Sequence, residues 1–325
     1  MAEPVVVSCG ASVHSIDHFA LNVPSVDDAE RFFRAFGLDL TVTDNAGARE
    51  LDIRAADGHR WARILPSSTK SLAWLSFNCF EEDLDALRNQ VQAAGAVLTE
   101  GNPAHDPAGF WFRDPDGNLL QIKTGPKTSP SAKTRCIVAG SAADDRGSHT
   151  RSESKPVRPR RLSHVLLFTP DVLRALDFYS KALGLRLSDK SLDIIAFTHA
   201  PHGSDHHLVA FAKSTARGWH HAAWDVEDVN QVGEGAAQMA AAGYDKGWGT
   251  GRHVLGSNYF HYVEDPWGSF CEYSADIDFV SPGKLWPAGD FPPEDSLYLW
   301  GPAVPDNFIR NTETPTGAAG VIPEG

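Results

Sequence analysis

Residues 15–38 read SIDHFALNVPSVDDAERFFRAFGL, and residues 161–185 read RLSHVLLFTPDVLRALDFYSKALGL. Each opens with a strand-like apolar run that carries one histidine, His18 or His164, and then breaks at Pro24 or Pro170. Apolar residues at helical spacing follow, with Phe32-Phe33 or Phe178-Tyr179 on the inner face. Gly37 and Gly184 close the two helices, where the chain commonly turns through the left-handed backbone that glycine adopts freely. A strand, a proline turn and a helix that match mark for mark indicate an internal repeat.

The repetition continues outward. EEDLDALRNQVQAAGAV (81–97) parallels VEDVNQVGEGAAQMAAAGYD (226–245), each an amphipathic helix followed by glycine. FWFRDPDGNLLQI (110–122) parallels HYVEDPWGSFCEY (261–273), each two strands joined by an Asp-Pro-x-Gly turn. Each half therefore holds two βαβββ units. The predicted fold is α+β: four such units paired into two open mixed β-barrels with helices outside. Residues 125–160 are rich in Ser, Pro, Gly and charge and read as a partly mobile linker. The expected division is a first barrel at 1–124, the linker at 125–160, a second barrel at 161–280 and a Pro-rich tail at 281–325. Aromatics in SLYLWGP (296–302) predict that the tail's first half packs on the body, and its last dozen residues are expected to float.

Composition narrows the function. With 325 residues, 42% hydrophobic and 22% charged, the chain has the profile of an ordinary globular protein large enough for two cores. A net charge of -13 argues against a phosphate-binding surface, so nucleic acid is not an expected partner. No run approaches the roughly 18 apolar residues of a membrane span, and MAEPVVVSCG (1–10) lacks the basic start and apolar core of a secretory signal. Cys9, Cys79, Cys136 and Cys271 show no paired spacing, which suits reduced thiols and a cytoplasmic location.

The duplicated unit, the DPxG hairpins and the positions of His, His and Glu in the second half resemble the vicinal oxygen chelate superfamily. Within it they resemble the two-domain type I extradiol, catechol-cleaving dioxygenases, over roughly residues 15–280. The βαβββ unit alone serves many functions. The resemblance implies that His164, on SHVLLF, His221, on HHAAWDV, and Glu272, on SFCEYSAD, are metal ligands. Two neutral imidazoles and one carboxylate on one side suit Fe(II) and leave positions open for substrate and oxygen; Mn(II) can occupy the same set. Laying the first half over the second puts His18 against His164, Trp74 against His221 and Gln121 against Glu272. Indole and neutral amide are poor ligands for Fe(II), so the first barrel is expected to be metal-free.

Two histidine pairs need resolving, in RGWHHAAWDV (217–226) and DHHLVAFA (205–212). Successive side chains of a strand point to opposite faces, so only one of His220 and His221 is expected to look inward. The repeat register selects His221. His220 is then read as facing away, and its replacement by alanine is expected to leave metal binding and turnover nearly intact. The resemblance selects His207 in the other pair, as the histidine near bound oxygen. It also selects His253 and Tyr262 in GRHVLGSNYFHY (251–262). His199, His202, His206, His220 and His261 are read as bystanders. Where biphenyl-type relatives carry polar residues after Gly-Arg-His, this chain has Val254, Leu255 and Gly256.

The implied reaction is extradiol ring cleavage, in which both atoms of O2 enter a catechol to give a hydroxymuconic semialdehyde or related keto acid. Tyr262 and His253 would bond the catechol oxygens and His207 would donate a proton. A catechol and O2 are the expected partners, and a homo-oligomer the expected assembly. One rival is a metal-dependent glyoxalase-like isomerase or lyase, which normally adds a further carboxylate ligand. Another is a metal-free binding protein of the bleomycin-resistance type, which has no reason to keep a complete ligand set in one half.

Overall fold

The structure is a computed structural model and describes residues 10–101, 106–136 and 141–314. The first half runs β1 (Ser15–Val23), α1 (Val26–Ala35), β2 (Asp39–Asn45), β3 (Ala48–Arg54) and β4 (Arg60–Pro66). It continues with β5 (Ser71–Cys79), α2 (Leu84–Ala93), β6 (Leu98–Thr99), β7 (Phe110–Arg113) and β8 (Leu119–Thr124). The second half repeats this as β9 (Arg161–Thr169), α3 (Val172–Leu183), β10 (Arg186–Ser191), β11 (Ile195–His199), a short β12 (Ser204–Asp205) and β13 (Val209–Lys213). Then come β14 (Gly218–Asp225), α4 (Val229–Ala241), β15 (Gly247–His253), β16 (Tyr259–Glu264) and β17 (Phe270–Ala275). Beyond the repeat lie β18 (Phe279–Val280), β19 (Gly289–Asp290) and β20 (Tyr298–Trp300).

Each half forms one mixed sheet. The first has the order β2-β3-β4-β1-β5-β8-β7-β6, and the second the order β19-β10-β11-β13-β9-β14-β17-β16-β15-β20. In every unit the first strand lies parallel to the last (β1 with β4, β5 with β8, β9 with β13, β14 with β17), and the two units of a half join through antiparallel first strands. This is the predicted βαβββ pairing. The tail departs from a plain appendage, because β19 and β20 extend the two edges of the second sheet.

Local chemistry sets the element ends. Ser25 accepts from the Asp28 N–H to cap α1, and Asp171 accepts from the Arg174 N–H to cap α3. Both Asp-Pro-x-Gly turns are tied by their aspartate: Asp114 Oδ1 accepts from the N–H groups of Asp116 and Asn118, and Asp265 Oδ1 from those of Trp267 and Ser269. One apolar core runs through both halves. Phe36 stacks on Tyr273 with centroids 3.9 Å apart, Phe19 packs on Trp219 at 4.6 Å, and the Tyr273 hydroxyl donates to the Phe36 carbonyl at 2.9 Å. The linker is anchored at both ends: Ser129 Oγ donates to the His14 carbonyl, Val157 is buried, and Arg160 pairs with Asp225. Among the described residues no helix is long and apolar enough to cross a membrane.

Candidate metal centre

Strand register brings three side chains together. Ala223 on β14 lies opposite His164 of β9 on one side and Glu272 of β17 on the other. His221 sits two residues earlier on β14 and so shares their face. Ala223 presents only a methyl group, which leaves the space between the three side chains open. His164 Nε2 and His221 Nε2 lie 3.3 and 3.4 Å from Glu272 Oε2, and one ligand atom from each residue falls within 4.8 Å of the others. All three residues are buried, with Glu272 0% exposed. Among the described residues His221 Nε2 and Glu272 Oε2 find no hydrogen-bond partner. A buried carboxylate oxygen aimed at imidazole nitrogens without a donor is costly unless a cation completes the set. The donor set therefore fits a divalent metal that accepts N and O ligands.

The surroundings hold these groups in place. Asn258 Nδ2 donates to Glu272 Oε1 at 2.9 Å, and Ser163 Oγ lies 3.1 Å from His164 Nδ1 while donating to Asp205. The Leu297 carbonyl accepts from His253 Nδ1 at 2.6 Å, so His253 Nε2 is free to accept from the Tyr262 hydroxyl at 2.9 Å. Burial, and then the neighbouring Glu272 charge, push the Tyr262 phenol well above its ordinary range, so it remains a donor. Burial depresses His207 and His253 below the ordinary imidazole range, His207 strongly, and nearby histidines add to the effect.

The predicted residues converge on one cavity. His164, His207, His221, His253 and Tyr262 all line it, and the His207 ring lies 4.0 Å from that of His164. The remaining wall is mostly apolar, with Leu166, Phe168, Phe197, Leu255, Phe308 and Ile309. Of Val254, Leu255 and Gly256, Leu255 stands in this apolar part of the wall. Gly256 has φ +90°, and a Cβ there would come within 3.4 Å of His207 Cε1. The tail contributes Ser296, Leu297, Phe308 and Ile309; the aromatics of 296–302 announce that the tail packs on the body, and the structure adds which residues reach the cavity.

One reading is corrected. His220 does not face away: it lines the cavity, and its Nδ1 lies 2.6 Å from His221 Nδ1. The cause is a bulge in β14. Trp219 pairs with Leu167 and His221 with the next residue, Leu166, leaving His220 unpaired and breaking the alternation. His206, read as facing away, is not among the described lining residues; its Nδ1 lies 3.0 Å from His207 Nδ1 and its Nε2 2.8 Å from Asp189 Oδ2. By contrast His199 bonds Ser188 and His202 bonds Ser12, away from the ligand cluster.

The first barrel shows the same register with different chemistry. Ser76 lies between His18 and Gln121 as Ala223 lies between His164 and Glu272. Trp74 Nε1 donates to His18 Nε2 at 2.9 Å, which occupies the nitrogen a metal would need. His18 Nδ1 is 2.6 Å from Asp17, and Gln121 bonds Ser76 and the Ala108 carbonyl.

Comparison with known proteins agrees with this geometry. The profile of the "Glyoxalase/Bleomycin resistance protein/Dioxygenase superfamily" matches residues 15–122 and 161–273. Metapyrocatechase 2 of Cupriavidus necator is 63% identical over 302 residues, 93% of each chain. Among solved structures, a Mn(II)-bound glyoxalase of Novosphingobium aromaticivorans is 24% identical with TM-score 0.70, covering 91% of this chain and 94% of that one. A variant of homoprotocatechuate 2,3-dioxygenase of Brevibacterium fuscum is 17% identical with TM-score 0.73, covering 95% and 85%. These two structures show that the fold is common to a glyoxalase and a ring-cleaving enzyme.

Proposed function

This chain belongs to the glyoxalase/bleomycin resistance protein/dioxygenase superfamily and, within it, to the family of metapyrocatechase 2, and we propose that its second barrel cleaves catechols beside the ring diol. It is an extradiol dioxygenase that places both atoms of O2 in the product. The observation that carries this reading is the cluster of His164, His221 and Glu272, two of whose members, His164 and His221, line a cavity together with His207, His253 and Tyr262. The metal proposed there is Fe(II), with Mn(II) the alternative; when bound it supplies a Lewis acid and a path for electrons between diol and oxygen. The first barrel is proposed to be metal-free.

The protein's own groups do the positioning and the proton work. Apolar walls clamp the flat ring and exclude water. Tyr262, hydrogen-bonded to His253, is the group assigned to bond a diol oxygen. His207, its ring 4.0 Å from that of His164, would take the remaining diol proton only after substrate has bound and return it to oxygen as the ring opens, which balances that proton without solvent. Lys213, the only Lys or Arg among the described lining residues, is paired with Asp193, so alkyl or halogen substituents suit the cavity better than carboxylates. A glyoxalase-like lyase is disfavoured because the described ligand cluster contains a single carboxylate. Among the described residues Cys79, Cys136 and Cys271 are free thiols, which supports a cytoplasmic setting.

The test is oxygen uptake by protein loaded anaerobically with Fe(II), against monocyclic, bicyclic and trihydroxylated aromatics, with the yellow product followed optically. We expect one O2 consumed per diol, and no uptake with His221→Ala. Stoichiometric bound iron with no uptake on any diol would overturn the proposal.

A further inference from the structure

We propose that His220 is a positioning residue of the metal centre: it fixes the proton of His221 on Nδ1, so that Nε2 faces the ligand cluster with its lone pair. This rests on the proposed function only in taking His221 as a ligand. A neutral imidazole carries one N–H and one lone pair, and a carbonyl oxygen can only accept. His220 Nε2 lies 2.7 Å from the Phe308 carbonyl and must therefore hold its hydrogen. His220 Nδ1 is then a lone pair. His221 Nδ1, 2.6 Å away, must be the donor, since two lone pairs would repel. The chain of donors runs from His221 through His220 to Phe308, and its far end is the bare His221 Nε2, buried without a partner.

Without this chain the balance tips the other way. Glu272 Oε2, 3.4 Å from His221 Nε2, would attract an Nε2–H, and a nitrogen holding a proton cannot bind a metal. The setting of His220 suits a neutral relay. It is 3% exposed and its ring lies 5.0, 5.5 and 4.9 Å from those of Phe168, Phe270 and Phe308. The bulge that turns His220 inward recurs in the first barrel between Trp74 and Leu72, where the unpaired residue is Ala73. The metal-ligand position and its proton acceptor are thus both absent from that copy.

His220→Phe keeps the ring volume inside the phenyl cage and removes the acceptor. His220→Asn restores an acceptor near the position of Nδ1. Binding of Mn(II), and of Fe(II) under argon, is measured by competition with a chelator. His220→Phe is expected to weaken both by about 10–100-fold and His220→Asn to recover most of the loss. Nitrogen-15 NMR of the metal-free wild-type protein is expected to show His221 protonated on Nδ1. His221 protonated on Nε2, or a folded His220→Phe that binds metal within about threefold of wild type, would overturn the proposal. Both readouts are independent of turnover, so a protein that binds metal as described but cleaves no diol would sink the function and leave this assignment standing.

Discussion

Lys70 sits on the loop between β4 and β5 of the first barrel, yet its partners lie elsewhere. Its Nζ donates to the Trp219 carbonyl at 3.0 Å, to Ser269 Oγ, and to Glu313 Oε1 at 2.8 Å. Glu313 Oε1 also accepts from the Trp219 N–H at 3.0 Å. The side chains are 5% and 11% exposed, so the pair is close to fully desolvated. Lys70→Met keeps the stem and strips the charge, leaving a buried carboxylate with one backbone donor. Removing one partner of a buried pair costs about 3–5 kcal/mol, and the remaining donor places this case near about 3. Glu313→Leu leaves the ammonium two neutral acceptors and is expected to cost about 2 kcal/mol. The double variant should cost about 3 kcal/mol rather than their sum, a coupling of about 2 kcal/mol. Urea unfolding of the metal-free proteins is the assay, because bound metal would add its own stabilisation. A coupling below about 0.5 kcal/mol, the scale of an exposed ion pair, would refute the account of the tail as pinned to both barrels through this pair.

His207→Phe should bind Fe(II) and catechol as wild type does and turn over at least about tenfold more slowly, because the proton shuttle is lost while ground-state contacts remain; unchanged single-turnover rates at saturating oxygen would remove His207 from the chemistry. His18→Asn should leave one metal per chain and turnover within about twofold. The loss should fall on stability instead, at about 1–2 kcal/mol, because the buried Trp74 indole N–H loses its acceptor. Metal analysis and urea unfolding check this, and loss of the only metal would show that the first barrel holds it.

Much of the architecture was legible because it was written twice. The paired strand–Pro–helix segments and Asp-Pro-x-Gly turns gave the repeat; the family resemblance pointed to His164, His221 and Glu272, and the repeat register set them against His18, Trp74 and Gln121. The side of β14 on which His220 lies was not legible. Alternation holds only for an unbroken strand, and the bulge arises from pairing with β9, a partner far away in sequence. The tail's part was hidden for a similar reason. Leu297 and Phe308 act through backbone carbonyls, whose position depends on where β20 and the following turns dock rather than on their side chains. Asn258 was also missed, since its role is set by a contact with Glu272 across the sheet.

Those two carbonyls also impose an order on synthesis. Phe308 leaves the ribosome after Ala275, the end of the last barrel strand, with a delay of a few seconds at roughly 5–20 residues per second. During that interval both sheets have all the strands of their repeats, while His220 and His253 still lack the acceptors that set their protons. The metal centre is thus finished after the folds that carry it. An early stop between β17 and Phe308 would give a chain that keeps the strands of both repeats and the residues His164, His221 and Glu272 while lacking the carbonyl that accepts from His220.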